Sequence, residues 1–395
     1  MDLPTGGGNA LIGLHWSFYL LILTLSIVPV LVTLTNLKYF RSLPHNSEKQ
    51  TSGMVSVLVP ARNEERNISK CLSSLSNQAY SELEILVLDD NSTDCTASLI
   101  ESFVNSDLRF KLIKGKQLPD GWIGKNWACH QLSLAAKGEF LLFIDADTIL
   151  SKGVVSASVA ETVQGNVQLL SVMPRRMASC LLERLLLPLI DWATFAWLPL
   201  KLAEWHQNAQ MSATFGQFVL FTRLAYSRIG GHKMVHDNPL DDFELGRLVK
   251  RQGFQWRLIR GKDWVSVLPY SGNKEAFRGI SRSVFPALSY RLSFLVVLIM
   301  LCLVLIFLPL ATVILGFFSN GNELPVIAMS ALAIANILGS WVIACKEFNH
   351  NLILSMFYPL STALMIAVGL YSFVTYSFGI TYWKGRRMPG RRLRF

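Results

Sequence analysis

Lys137-Gly-Glu-Phe-Leu-Leu-Phe-Ile-Asp145-Ala146-Asp147-Thr148 is the stretch that decides the fold. Phe140 to Ile144 is an unbroken apolar run, the composition of a strand buried on both faces of a parallel sheet. It ends abruptly at two carboxylates with one small residue between them. Alternation along a strand would turn Asp145 and Asp147 to the same side. Carboxylates so placed repel each other unless a cation lies between them or water surrounds them. Open α/β sheets bind ligands beyond the carboxyl ends of their strands, so a hard cation holding phosphate oxygens suits this position. Taken alone, the same residues would read as an acidic turn.

Upstream, strands and helices alternate from Met54. Val55 to Val59 is a β-branched run that leads into Pro60-Ala-Arg-Asn-Glu-Glu65, and Ile68, Leu72 and Leu75 follow at helical spacing. Leu83 to Leu88 is a second strand, ending at Asp89-Asp90-Asn91-Ser92-Thr93-Asp94, whose last four residues favour turns and helix N-caps. A helix through Leu99, a short strand at Phe110 to Ile113 and a helix over Trp127 to Ala136 complete the run. This alternation predicts right-handed βαβ crossovers and a largely parallel sheet. Two strand ends then carry paired carboxylates, Asp89-Asp90 and Asp145/Asp147, at one edge. The region has neither a Gly-x-Gly-x-x-Gly nor a Walker-type loop, which argues against a dinucleotide oxidoreductase or a P-loop ATPase.

Three motifs in this order, Val55-Ser-Val-Leu-Val-Pro-Ala-Arg-Asn-Glu, Leu88-Asp-Asp-Asn-Ser-Thr-Asp and Phe143-Ile-Asp-Ala-Asp, resemble those of family 2 glycosyltransferases with the GT-A fold. The likeness runs over roughly residues 54 to 260. It implies a mostly parallel, Rossmann-like α/β nucleotide-sugar domain, a nucleotide-sugar donor, a divalent cation (Mg2+ or Mn2+) and inversion at the anomeric carbon. By the same resemblance Pro60, Glu64, Asp89 and Asp90 hold the uridine, and Asp145 and Asp147 hold the metal and the diphosphate. Lys125, in Gly121-Trp-Ile-Gly-Lys-Asn-Trp127, sits where relatives carry a Gly-Lys stretch; it would neutralise the diphosphate as a point charge or be a solvated loop lysine. Gln217, in Ser212-Ala-Thr-Phe-Gly-Gln217, is a further donor-binding expectation. Asp241-Asp242, opening a helical pattern, is similar to the family's Glu-Asp motif and makes Asp242 the general base on an acceptor hydroxyl. The alternative is an N-cap aspartate complementing the helix dipole. Gly230-Gly231-His232 either shapes the sugar pocket or is a structural turn. The Gln-x-x-Arg-Trp of processive members is missing from Arg278 to Phe285, which favours transfer of one sugar over polymer synthesis.

The chain has 395 residues, 51% of them hydrophobic and 16% charged, too apolar for an ordinary soluble domain. Its +10 net charge lies largely beside apolar segments, so anionic lipid or an anionic donor explains it better than nucleic acid. Six scattered cysteines give neither a zinc pattern nor a disulfide framework. Leu11 to Leu34 is long enough to span a bilayer, and Lys38 and Arg41 directly after it put the α/β region in the cytoplasm. Leu181 to Leu200 reads as an amphipathic interfacial helix, or else as a buried core helix. Leu292 to Phe318, Leu324 to Cys345 and Leu352 to Ile380 are each long enough to span, and the tail from Trp383 is strongly basic. Three further crossings would leave that basic tail outside. The last segment is therefore expected to be a re-entrant hairpin, with the acidic loop Ser319 to Glu323 outside.

The expected layout is an anchor over 1–35, a linker over 36–53, a cytoplasmic catalytic domain over 54–285 with the interfacial helix near 181–200, transmembrane helices over 286–382 and a basic cytoplasmic tail over 383–395. Glycine-centred motifs and Trp383-Lys384-Gly385-Arg386 resemble membrane glycosyltransferases of bacterial isoprenoid pathways, including carotenoid (chlorobactene-type) and hopanoid-associated enzymes. The implied reaction moves one hexose, glucose by the resemblance, from a UDP-sugar to a membrane-lipid hydroxyl in the bacterial inner membrane. Hopanoid, ceramide and diacylglycerol are the other acceptors, and a non-catalytic lipid-handling module is the reading from another class. The tail motif has two open roles, binding lipid headgroups or capping the donor site.

Overall fold

The computed structural model describes residues 6–44, 53–318 and 324–388, with side chains in the first helix from His15 onward. The acidic loop at 319–323, residues 45–52 of the linker and the tail beyond Met388 lie outside the described residues. In chain order the elements begin with α1 (Gly6–Tyr39), β1 (Val55–Ala61), α2 (Ile68–Ser76), β2 (Leu83–Asp89), α3 (Thr96–Ser106), β3 (Phe110–Lys114), α4 (Gly124–Ala135) and β4 (Phe140–Phe143). Next come β5 (Thr148–Leu150), α5 (Val154–Gln164), β6 (Leu169–Arg176), α6 (Leu181–Trp197), α7 (Leu200–Trp205), β7 (Val219–Thr222), α8 (Arg223–Arg228), a short 3-10 turn (Gly231–Val235), α9 (Asp241–Arg251) and β8 (Trp256–Val267). The remainder is α10 (Asn273–Ala287), α11 (Leu292–Cys302), a π-helical turn (Leu303–Phe307), α12 (Leu308–Gly316), α13 (Leu324–Glu347), α14 (Leu352–Ser355), α15 (Tyr358–Ser377), β9 (Tyr382–Trp383) and β10 (Arg386–Arg387).

Eight strands form one sheet in the order β3-β2-β1-β4-β7-β6-β8-β5. Strands β3, β2, β1 and β4 are parallel, as their apolar runs and intervening helices require. Beyond β4 the sheet is mixed: β7 runs antiparallel to both neighbours, while β8 is parallel to β6 and antiparallel to β5. Ala61 pairs with Asp89 and Leu58 with Phe143, so the carboxyl ends of β2, β1 and β4 share one edge. Helix α2 buries Ile68, Leu72 and Leu75 against the sheet, the stripe that its spacing predicts.

One local expectation fails. Strand β4 stops at Phe143, and Asp145, Ala146 and Asp147 form a turn closed by Thr148 N–H donating to the Asp145 carbonyl at 3.0 Å. A further short strand, β5, follows directly, so the turn and not strand alternation sets the direction of the two carboxylates.

Among the described residues, four helical stretches are long and apolar enough to cross a membrane: His15–Tyr39, Leu292–Gly316, Leu324–Glu347 and Tyr358–Ser377. The first three pack together. Tyr19 OH and Thr312 Oγ1 are 2.7 Å apart, and Asn336 donates to Ser26 Oγ at 3.0 Å. Pro309 does not break its span, because the helix widens into π turns at Leu303–Phe307 just ahead of it. The bundle meets the catalytic domain through polar contacts. Glu347 at the end of α13 lies 2.9 Å from Arg260 on β8, and His350 lies 2.7 Å from the buried Asp191 of α6.

The expected re-entrant hairpin at the fourth segment is not formed. Pro359 sits in the first turn of α15, where a proline costs no hydrogen bond, and the helix then runs unbroken for 20 residues. This helix packs on α6 and α10, with Val368 against Leu186 and Ile280, and Tyr376 OH donating to the Arg282 carbonyl at 2.8 Å. Helix α10 carries Lys274, Glu275, Arg278 and Arg282, which bars it from the middle of a bilayer. Both ends of α15 return to the catalytic domain, through His350 before it and Lys384 and Arg386 after it.

Asn36 joins the first helix to the domain. Its Nδ2 donates to the Phe195 and Leu198 carbonyls at 2.7 and 2.8 Å, and its Oδ1 accepts from Leu200 N–H at 2.9 Å. Asn36→Ala strands these buried backbone groups, at a cost of about 1–3 kcal/mol. A lower melting temperature in detergent, with Thr35→Ala on the exposed face unchanged, is the expected outcome.

Candidate active site

Lys125 is in the first turn of α4, and its Nζ lies 2.7 Å from Asp145 Oδ1. Burial works against its charge, but Asp145, with Asp241 and Asp242 also close, holds the ammonium well above the ordinary lysine value. Asp242 is at the start of α9. Its Oδ2 accepts from Gly216 N–H at 2.7 Å and its Oδ1 from Phe243 N–H at 2.8 Å. A side chain at Gly216 would come within 3.0 Å of Asp242 Oδ2 and 3.3 Å of Lys125 Nζ, so glycine is what lets this backbone approach.

Burial and the neighbouring Asp241 push Asp242 up to about 7, with Lys125 opposing. That is where a general base near neutral pH is most effective. Asp241 moves the other way. Burial would raise it, but Lys125 and His232 hold it below the usual carboxylate range. His232 Nε2 lies 3.3 Å from Asp241 Oδ2, and the other ring nitrogen is 2.7 Å from Tyr226 OH. The glycine pair before His232 thus brings a supporting histidine under Asp241.

Asp147 is lifted to about 7 by burial, with Asp145 and Glu64 adding to the effect. Its Oδ1 is buried and accepts no hydrogen bond among the described residues. A cation would satisfy that oxygen and relieve its repulsion from Asp145, so the residues fit a divalent ion. Among the described residues no three His, Cys, Asp or Glu side chains gather into a metal site of their own. One or two carboxylates completed by substrate phosphates is the habit of Mg2+-type ions.

The other expected donor residues lie along the same edge. Pro60 lines the small cavity that also holds Lys125, Asp145, Gly216, His232, Asp241 and Asp242. Gln217 follows Gly216 and has a buried Oε1 that no donor reaches among the described residues. Asp89 is engaged in its own turn, accepting from Ser92 N–H at 3.2 Å. Asp90 is buried and pairs with Arg386 at 2.6 Å, and Glu64 pairs with Lys384 at 3.0 Å. Gly124 stands between the two groups. A side chain there would meet Arg386 Nη1 at 2.9 Å and Asp90 Oδ2 at 3.1 Å.

Sequence reasoning left Lys384 and Arg386 open between headgroup binding and capping of this edge, and named no partner for either. They were visible only as part of a basic tail motif, for which headgroup binding was the simpler role. Both cations are taken up by carboxylates of this edge, Lys384 by Glu64 and Arg386 by Asp90. It also missed Arg176, at the end of β6, which stacks 5.1 Å over Phe215 and pairs with Asp191.

Residues 56–184 match the family model for glycosyl transferase family 2. Over those residues the chain is similar to a family 2 glycosyltransferase domain. Two curated relatives extend the likeness beyond that domain. The 4,4'-diaponeurosporenoate glycosyltransferase of Staphylococcus haemolyticus is 26% identical over 282 residues, covering 68% of this chain and 71% of its own. The Staphylococcus aureus protein of the same name is 25% identical over 344 residues, covering 84% and 88%. Among solved structures, a mannosyltransferase from Pyrobaculum calidifontis, in complex with GDP-Man and Mn2+, aligns with a TM-score of 0.54 at 16% identity over 93% of this chain and 99% of that one. The fold is GT-A-like, and the expectation of a glycosyltransferase enzyme holds, which sets aside the non-catalytic module.

Because the Asp241 charge helps to raise Asp242, Asp241→Asn lowers the Asp242 pKa. In a pH profile of kcat, the acid limb near 7 is expected to move toward lower pH by roughly one unit. An unmoved limb would assign it to another group.

Proposed function

We propose that the glycosyltransferase moves a single hexose, glucose by family resemblance, from a UDP-sugar to a membrane-lipid hydroxyl with inversion, and that its acceptor is a carotenoid. The observation that carries this reading is Asp242. It is a half-buried carboxyl with a pKa pushed up to about 7, fixed by two backbone N–H groups and set beside the Lys125–Asp145 pair.

An alcohol is a poor nucleophile until its proton is removed as the new bond forms. The acceptor oxygen attacks the anomeric carbon opposite the diphosphate, Asp242 receives the hydroxyl proton, and the carbon–oxygen bond to UDP breaks with its electrons leaving on UDP. No covalent enzyme intermediate is needed. Lys125 contributes fixed positive charge beside the departing diphosphate. Asp145 and Asp147 would hold a Mg2+ or Mn2+, which when bound screens the negative charge of the diphosphate. Pro60, Glu64, Asp89, Asp90 and Gln217 form the donor side.

Membrane topology supports a lipid acceptor. Three of the apolar helices serve as crossings, and α15 lies along the membrane face of the domain with both ends on the catalytic side. The protein then sits in a bacterial inner membrane with the catalytic domain and the tail both in the cytoplasm, where nucleotide sugars are made. A second reading concerns the acceptor atom. The compound in the relatives' names, diaponeurosporenoate, is by its ending a carboxylate, which is already ionised at neutral pH and needs no base.

Asp242→Asn separates these readings. For a hydroxyl acceptor it abolishes transfer, by at least about 100-fold, while UDP binding stays nearly intact; retained turnover favours the carboxylate acceptor. Asp147→Asn is expected to remove Mn2+-dependent UDP binding in calorimetry, and unchanged binding would exclude it as a metal ligand. Lipid mass spectrometry of a host with and without the gene should find one carotenoid shifted by a hexose. A shifted hopanoid or sphingolipid would move the acceptor to that class.

A further inference from the structure

The hairpin formed by β9 and β10 supplies no group to the sugar-transfer step, yet it is built into the nucleotide edge. Its two-residue turn, Lys384-Gly385, has φ of 45° and 80°, the positive values that a tight hairpin of this kind requires. Lysine is disfavoured in that region, so something must hold it there. Lys384 Nζ lies 3.0 Å from Glu64 Oε1 and donates to the Asn63 carbonyl at 2.9 Å. Arg62 Nε in turn donates to the Lys384 carbonyl at 3.3 Å. Arg386 Nη1 donates to Asp90 Oδ2 at 2.6 Å, across 296 residues of sequence. Asp90 is only 2% exposed, and its other oxygen, Oδ1, is buried with no donor reaching it among the described residues. Trp383 and Arg386 also close on Gly124, at 3.1 and 2.9 Å from where a side chain would begin.

We propose that this hairpin is a wall of the donor site and that Arg386, by occupying one oxygen of Asp90, makes the site select uracil over guanine. The inference rests on the reading that Asp90 and Glu64 hold the nucleotide. Guanine presents two adjacent N–H donors and would use both oxygens of a carboxylate. Arg386 already pairs with Oδ2 and crowds that side, so Oδ1 is the one oxygen left without a donor. Uracil presents a single N–H between two carbonyls. The free Oδ1 matches the N–H, and a guanidinium with five donors can serve Asp90 and a base carbonyl together. A site built this way rejects the wrong base by leaving its own buried polar groups unpaired. Glu64, tied to Lys384, fixes the other side of the same wall.

The test uses the full chain in nanodiscs with Mn2+, titrated with UDP and with GDP. The unaltered protein should bind UDP at least tenfold tighter than GDP. Arg386→Ala should weaken UDP and strengthen GDP, shrinking that ratio at least fivefold, and Arg386→Lys, which keeps charge but loses the fork, should fall between. A UDP-to-GDP ratio that Arg386→Ala leaves unchanged overturns the proposal, as does a preference for GDP in the unaltered protein. Asp90→Ala keeps failures distinguishable. If it destroys UDP binding while Arg386→Ala leaves the ratio alone, only the role of the hairpin fails. If it leaves UDP binding intact, the reading of the nucleotide edge fails with it. Melting temperatures of both variants guard against misfolding, and ending the chain after Gly379 removes the hairpin outright, with the same loss of preference expected.

Discussion

The position of one ammonium group governs the electrostatics of the site. Lys125 Nζ lies against Asp145 and close enough to Asp241 and Asp242 to shift both. Without a cation there, aspartates on a shared edge would protonate or force the edge open, because like charges in a poorly solvated place cannot all ionise. With it, the aspartates separate into different roles. Asp241 is held ionised by Lys125 and His232, and its charge in turn keeps Asp242 in reach of a proton near neutral pH. Asp147, raised by burial, Asp145 and Glu64 against the pull of Lys125, is the carboxyl left wanting a partner. Two glycines make the arrangement possible: Gly124 lets the hairpin close beside Lys125, and Gly216 lets its backbone reach Asp242.

The same logic of buried polar pairs joins the site to the membrane helices. Asp191, fully buried on α6, is held by Arg176 from the sheet and by His350 from beyond α13. Burial, with Arg176 nearby, pushes His350 down to about 4, so it meets Asp191 as a neutral donor and Arg176 is the one cation of the three groups. Arg176 stacks on Phe215, one residue before the glycine that contacts Asp242. These contacts link α13 to the backbone that holds Asp242, through groups that cannot be separated without leaving a buried charge unpaired.

The parallel half of the sheet was legible in the sequence because its strands are buried on both faces and read as apolar runs. Ile68, Leu72 and Leu75 were equally plain, since a stripe at helical spacing needs no knowledge of its partner. Asp145, Asp147 and Asp242 were legible because each follows a strand or opens a helix, a local context visible in a few residues. The turn at Asp145–Asp147 was misjudged as a strand end because the short β5 pairs only with the distant β8. The contacts of Arg386 with Asp90, and of Lys384 with Glu64, leave no trace in spacing at all. Nothing in a basic tail distinguishes a lysine that waits for lipid from one that will meet a buried glutamate.

That hairpin also constrains the last helix. Apolar composition alone makes α15 a span, and a 20-residue helix is about 30 Å long, the thickness of the hydrocarbon layer. Yet Ser377 is seven residues from Lys384, a reach of at most about 25 Å fully extended, and part of that chain is spent in a hairpin folded on itself. A helix standing across the bilayer would place one of its ends too far from the catalytic domain for both His350 and Lys384 to touch it. Lying along α10 and α6 removes the conflict. It leaves an apolar face exposed, buries Val368 and Tyr376 against the domain, and delivers the basic hairpin to the edge where Glu64 and Asp90 lie. The hydrophobicity of α15 and the charge of the tail, which conflict when each is counted as topology, are reconciled by one ion pair to Glu64 and another to Asp90.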